Sequence, residues 1–208
     1  GLVLLAWMRV RGESFTLHSM RATAFGGIAL GADIALFFTA VKETSIVNAT
    51  IIGSLQPILV GVIAARFFGE TIRARDALWS LVALAAVVVV VTTQSDSGAS
   101  NSVRGDLLAA AAMLAWSAYF IASKQSKGRV TPTAFTTGTA LWTAIIITPL
   151  GFVVGQDMSL PSTKNWLLIG AMASGSGLLG HALMNWSLIR IPLWVGSTST
   201  LLSPVVSA

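Results

Sequence analysis

Long apolar stretches separated by short polar joints run from one end of this chain to the other. Segments free or nearly free of charge cover about 22–41, 45–65, 77–95, 107–123, 130–156, 165–189 and 191–208. Each approaches the roughly 20 residues a helix needs to cross the hydrocarbon core of a bilayer. The pattern predicts an all-α, polytopic transmembrane helix bundle. Asp33 and His181 are the only acidic, basic or imidazole side chains deep inside these stretches. A charge at that depth costs several kcal/mol on insertion scales, so each calls for a reason.

Composition sharpens the picture. Charged residues are 10% of the chain and 54% is apolar, against roughly 25% charged in a soluble domain. Mean hydropathy is +0.79. A soluble chain of this length could not cover that much apolar surface. The net charge of +5 and pI near 10.5 do not mark a nucleic-acid partner, because the basic residues form no single patch. They follow the joints instead. Arg9, Arg11, Arg21, Arg66, Arg73, Arg75, Lys124, Lys127, Arg129 and Arg190 fall on one side of the alternating spans, and Lys42, Arg104 and Lys164 on the other. By the positive-inside rule the rich side is cytoplasmic. With no cysteine, disulfides and thiolate metal sites are excluded. Gly1–Met8 is apolar but is followed by basic residues where a small-residue cleavage site would stand, so insertion is expected to come from the spans.

The chain also matches itself. At an offset of 147, Ala35-Leu36 aligns with Ala182-Leu183, and Leu55, Pro57, Ile58 and Leu59 align with Leu202, Pro204, Val205 and Val206. The same offset carries the start, hairpin and proline of one helix pair onto the other. Five spans separate equivalent helices, an odd number, so the copies are upside down relative to each other, as in many secondary transporters. Residues 1–8 map onto the last turns of a span, and the span at 107–123 has no partner in the first half. The expectation is therefore a five-plus-five inverted repeat, ten helices and roughly 280 residues when intact. About seven helices would be complete or nearly so here, after a short N-terminal stub. Gln94–Gly105, rich in Ser, Gly and Asn, is the expected linker, placed outside the cell.

Ala35-Leu36 through Ser45, Leu55-Gln56-Pro57 and Gly69-Glu70 with Ala77–Val91 behind it form a short-linked helix pair, a mid-helix proline, a Gly-Glu pair and a small-residue final helix. The second half repeats the order, with Gly105-Asp106-Leu107 leading to Trp116 and Tyr119, then Leu178 to Leu183, then Leu202-Ser203-Pro204. Over essentially its whole length the chain resembles the EamA domain of the drug/metabolite transporter superfamily. The resemblance implies a secondary carrier for amino acids or other small metabolites. It implies a first repeat over 1–98, truncated at its N-terminus, and a second over 99–208, truncated at its C-terminus.

Candidate chemistry gathers at the paired prolines. Pro57 lies near the centre of its span and Pro204 at the matching place in the other repeat. Neither can donate to the carbonyl four residues back, which frees the carbonyls of Gly53 and Thr200. In hydrocarbon such groups are tolerated where protein or a water-filled cavity satisfies them. Paired interruptions point to a midplane substrate site, although a packing kink gives the same pattern. Asn48, Ser54 and Gln56 surround one proline, and Ser197, Thr198, Thr200 and Ser203 the other.

Asp33 lies roughly 2 Å to the outer side of its helix centre and His181 roughly 5 Å to the cytoplasmic side of the equivalent helix. A carboxylate and an imidazole at mid-depth can take up and release protons as access alternates; each also has a structural reading, as a hydrogen-bonded buried group. Trp116 and Tyr119, three apart, share one helix face. They read as a substrate wall or as packing, and the resemblance sets that helix beside the central cavity. Asn185 is a weaker pocket candidate. Trp79, Trp166 and Trp194 read as interfacial anchors. Gly69 is the expected C-terminal cap of its helix, with Glu70 positioned to pair with Arg73 or Arg75. Gly27 and Gly31, and Ala173, Gly177 and Gly180, have close-packing spacing.

The expected function is transport of a small metabolite by alternating access, coupled to protons and running outward. An intramembrane enzyme is disfavoured, since there is no cysteine, no H-E-x-x-H and no Walker loop, and His18 has no companion ligands. The competing reading is a non-transporting membrane scaffold or receptor, which has little use for paired prolines or a mid-membrane Asp33. No cofactor, metal or nucleic acid is expected. The expected partners are a small solute, the bilayer and protons, in a bacterial inner membrane. Oligomeric state and solute identity are not encoded in these patterns.

Overall fold

The computed structural model describes residues 1–93, 102–155 and 160–202. Every regular element among them is helical. They are α1 (Leu2–Val10), α2 (Leu17–Ala22), α3 (Ala24–Glu43), α4 (Ile46–Gly53), α5 (Gln56–Phe67), α6 (Ala74–Thr93), α7 (Val103–Gln125), α8 (Pro132–Val153), α9 (Thr163–Met172), α10 (His181–Leu188) and α11 (Leu193–Ser199), with a π-helical stretch at Ala173–Gly180 between α9 and α10. Among the described residues, five helical runs are long and apolar enough to cross a membrane: Ala24–Glu43, Ile46–Phe67, Val103–Gln125, Pro132–Val153 and Thr163–Leu188.

The charge-free segments mark these helices because a buried backbone in lipid must satisfy its own hydrogen bonds. Their ends are set by local chemistry. Thr16, Ser45, Thr131 and Ser162 each cap a helix, accepting a backbone N–H three residues on. Gly69 and Gly128 follow α5 and α7 with φ of 63° and 80°, a conformation other residues adopt only under strain. α7 begins at Val103, so part of the expected linker is helical; its Gln94–Asn101 portion, and with it the 98/99 repeat boundary, lies outside the described residues. α2 falls inside a joint expected to be non-helical; the Thr16 cap is the signal that marks it.

The repeat register reappears in the backbone. α4 starts at Ile46 and α11 at Leu193, 147 residues apart, and each is followed by a break in the helix.

The chain divides into two compact units that do not coincide with its sequence halves. One comprises Gly1–Gly31 and Ala122–Arg190, the other Ala32–Ile121 and Ile191–Ala208.

In the first unit, α1, α2 and α10 pack on α8. Small residues let helices approach: a Cβ on Gly26 would stand 2.8 Å from the Phe135 ring, one on Gly27 would meet Trp142, and one on Gly31 would touch Ile146. Gly27 and Gly31 thus pack as their spacing predicts. Interior hydroxyls are returned to their own helix, as in Thr136 to the Pro132 carbonyl (2.9 Å) and Thr139 to that of Phe135 (3.0 Å). Asn185, 1% exposed, joins three helices by accepting from Ser123 Oγ at 2.8 Å and donating to Thr136 Oγ1 at 3.0 Å.

The second small-residue face differs from expectation. Ala173, Gly177 and Gly180 are exposed; the Cβ positions of Gly177 and Gly180 meet only the backbone oxygens of Met172 and Gly175, atoms of their own helical run. Ala173–Gly180 contains three glycines and two serines, which hold the α-helical spacing weakly. The backbone widens into π-helix instead, a form that recurs at functional sites.

In the second unit, α5 packs on α11 and α4 on α6. Ala40, Ala49 and Ala109 form a buried core with Phe37, Ile52 and Leu108 against it. The start of α7 is bound to the α3–α4 joint. Asp106 accepts from Thr44 Oγ1 at 2.7 Å and Asn48 Nδ2 at 3.4 Å, and Arg104 faces Glu43 at 3.4 Å. Glu70 has a role that its neighbours in sequence do not indicate. Its carboxylate accepts from the backbone N–H of Leu193 (2.7 Å) and Trp194 (3.3 Å), capping the start of α11.

Candidate functional site

The Ile46–Phe67 span is interrupted where Pro57 requires it. α4 ends at Gly53, Ser54 and Leu55 form a tightened turn, and α5 resumes with Pro57 in its first turn, where a missing N–H costs nothing. The turn is held by Ser54 N–H to the Thr50 carbonyl (2.9 Å) and Leu55 N–H to that of Ile52 (3.1 Å). Ser54 Oγ also donates to the Thr50 carbonyl, at 2.7 Å.

Within the second unit this break borders a cavity of about 420 Å³. Asp33, Thr50, Ser54, Gln56, Trp116 and Thr200 line it, with apolar residues of α3, α4 and α7 between them. The volume is in the range of small-molecule sites, and a few polar groups set in apolar walls is their usual make-up. Asp33 is the only acidic or basic side chain among the described residues that line it.

Trp116 is fixed from behind. Tyr119 stacks on it at 5.3 Å between centroids and 25° between planes, and Phe120 meets it edge-on at 5.2 Å. Tyr119 and Phe120 are fully buried. The aromatic pair inferred from spacing therefore splits its roles: Trp116 faces the cavity, and Tyr119 supports it from the core.

Gln56 is 1% exposed. Thr200 Oγ1 lies 3.4 Å from its Oε1, while its Nε2 has no hydrogen-bond partner among the described residues. A buried donor left unmade costs on the order of 1–3 kcal/mol, so it is seldom kept without use.

Asp33, Gln56, Trp116 and Thr200 are thus brought together. Pro57 creates the break but lines a second, more apolar cavity of about 320 Å³ on the α6 and α11 side, with Ile58, Leu81 and Trp194. Asn48 is not at the first cavity; it sits with Thr44 and Asp106 at the start of α4. His181 opens α10 in the other unit, half-buried, directly after the π stretch. Ser203 and Pro204 lie outside the described residues. Trp79 and Trp166 are exposed at 62% and 53%, as anchors would be, whereas Trp194 is half-buried against the second cavity. Thr50 was not anticipated; its spacing of four from Ser54 is the signal that puts both hydroxyls on one face.

This architecture, apolar spans with an interrupted helix beside a polar-lined cavity, is that of a membrane carrier fold. The description of the EamA-like transporter family matches residues 1–92 and 103–208, and the chain belongs to that family. It is 30% identical over 154 residues to the aromatic amino acid exporter YddG of Ancylobacter novellus, covering 73% of this chain and 52% of that protein. It is 24% identical over 210 residues to the uncharacterized transporter YyaM of Bacillus subtilis strain 168, covering 99% of this chain and 69% of that one. The chain thus spans about half the length of the exporter it resembles. A crystal structure shares the fold at a TM-score of 0.84, with 24% identity, over 99% of this chain and 72% of its own. The chain is an integral, multi-pass membrane protein of inverted-repeat helical architecture.

Proposed function

We propose that this protein is a secondary carrier that exports a small metabolite, an amino acid or close relative, by alternating access across a bacterial inner membrane. Two repeats, over 1–98 and 99–208, would supply the two halves of the alternation. The observation that carries the reading is the cavity at the interrupted span with the Asp33 carboxylate in its wall. Membership of the EamA-like family and likeness to a named aromatic amino acid exporter support it. No enzymatic role is proposed. A scaffold or receptor has no need of an acid in a cavity at mid-helix.

Asp33 is the proposed proton carrier of the cycle. A carboxylate that gains and loses a proton as access alternates couples solute to the proton gradient; an asparagine cannot. The test is flux in proteoliposomes of the intact protein, with Asp33→Asn and His181→Gln beside it and aromatic amino acids offered first. Expected is solute movement stimulated by an imposed pH gradient in the wild type and gradient-independent movement in Asp33→Asn. Equal stimulation of both proteins would remove Asp33 from the coupling step. Loss of stimulation in His181→Gln alone would move that step to the other unit.

A further inference from the structure

We propose that Gln56 selects the solute: its side-chain amide donates to a carboxylate, and the cavity takes an α-amino acid with a flat, apolar side chain. The proposal rests on the carrier reading above and names the chemistry recognised. Gln56 Nε2 is buried, lacks a hydrogen-bond partner among the described residues, and belongs to a residue lining the cavity, while the other end of the amide faces Thr200 Oγ1 at 3.4 Å. A turn of this side chain toward the cavity brings the unpaired donor to an acceptor on the solute, which completes it.

The neighbouring groups specify the rest of the molecule. Asp33 is the one acidic or basic side chain among the described lining residues, and its carboxylate form suits an ammonium group. Trp116, backed by Tyr119 and Phe120, offers a rigid π-face to an aromatic side chain. A neutral amide also suits a carrier. Arg or Lys at this depth would hold a carboxylate but would carry the cost of an intramembrane cation, whereas glutamine needs no charge to be buried. A phosphate-bearing solute would bring more negative charge to a wall that already holds Asp33 and, among the described residues, has no cation to offset it.

The test is equilibrium binding of L-phenylalanine to the purified intact protein in detergent, which needs no gradient and no transport. Phenethylamine, lacking the carboxylate, and 3-phenylpropionate, lacking the ammonium, serve as competitors. Wild type should prefer L-phenylalanine to phenethylamine by about tenfold or more, the worth of one hydrogen bond to a charged group. Gln56→Met keeps the volume and removes the donor. It should bring that ratio to within about threefold by weakening L-phenylalanine. A ratio unchanged in Gln56→Met overturns the proposal. So does a greater loss for phenethylamine, which would mean the acceptor end of the amide meets the solute. If Gln56→Met does not fold, Gln56→Asn, which keeps the amide but withdraws it by one methylene, should give an intermediate ratio; an unaltered one again overturns the assignment. A wild type that binds none of the three compounds removes the aromatic amino-acid solute, and this proposal with it. That result is distinct from a wild type whose preference is insensitive to residue 56.

Discussion

Glycine serves opposite purposes at two places in this chain. At Gly105 a Cβ would come within 2.7 Å of the Thr44 backbone nitrogen and 2.9 Å of the Glu43 carbonyl carbon, which are backbone atoms with little room to give. The missing side chain lets α7 start against the α3–α4 joint, so that Asp106 reaches Thr44 and Asn48. Gly175, in the π stretch, has nothing within 4 Å of its Cβ position. Gly105→Ala is therefore expected to destabilise by about 1–3 kcal/mol through overpacking. Gly175→Ala should be neutral or stabilising by up to about 1 kcal/mol, since Ala forms helix more readily. Thermal unfolding of both variants in one detergent checks the pair. Equal melting points would mean that the close approach at Gly105 relaxes without cost.

Among elements, α11 depends on a residue distant in sequence. It is seven residues long, has Pro192 before it with no side-chain cap of its own, and begins with two N–H groups held by Glu70, 123 and 124 positions away. Glu70→Ala should cost about 0.5–2 kcal/mol, the range for losing a helix cap, and Glu70→Gln less, since its oxygen can still accept one N–H. Hydrogen exchange at Leu193 and Trp194 reports the loss locally; unchanged protection in Glu70→Ala would show that the cap is dispensable. The case also marks how far the sequence could be read. Spans were legible because lipid forbids charge over some 20 residues, a long signal that survives substitution. The helix break at Pro57 was legible because proline lacks a donor wherever it stands. Asp33, Gln56, Trp116 and Thr200 could be named as polar or aromatic residues at mid-span, but not joined, because cavity walls come from helices remote in sequence. The contact of Glu70 with the start of α11 was hidden for the same reason, because its backbone partners there lie on a helix remote in sequence. The π stretch was hidden because small-residue spacing reads identically whether a neighbour covers it or not.

For the molecule as a whole, orientation follows from the distribution of charge, and it constrains every functional statement above. Ten of the thirteen basic residues fall on alternate joints, and translocation of Lys and Arg away from the cytoplasm is disfavoured. The joints after α5 and α7 should therefore be cytoplasmic, and those before α7 and before α9 external. The sequence has no cysteine, so single cysteines can be read without background. Thr71, Gln125, Val103 and Thr163 are exposed and uncharged, and replacing them leaves the charge bias intact. In right-side-out vesicles, a membrane-impermeant maleimide should label Val103→Cys and Thr163→Cys and spare Thr71→Cys and Gln125→Cys; in inverted vesicles the pattern should reverse. Labelling of Gln125→Cys and Thr163→Cys from the same side would place α8 outside the membrane, and the inverted relation of the repeats would fail with it. A complete reversal would keep the fold but turn it over, against the charge bias. With the expected pattern, α7 runs inward from its external start, and Trp116 and Asp106 lie on one helix at different depths. The cavity residues can then be assigned to a depth, which is what an alternating-access cycle must expose first to one side and then to the other.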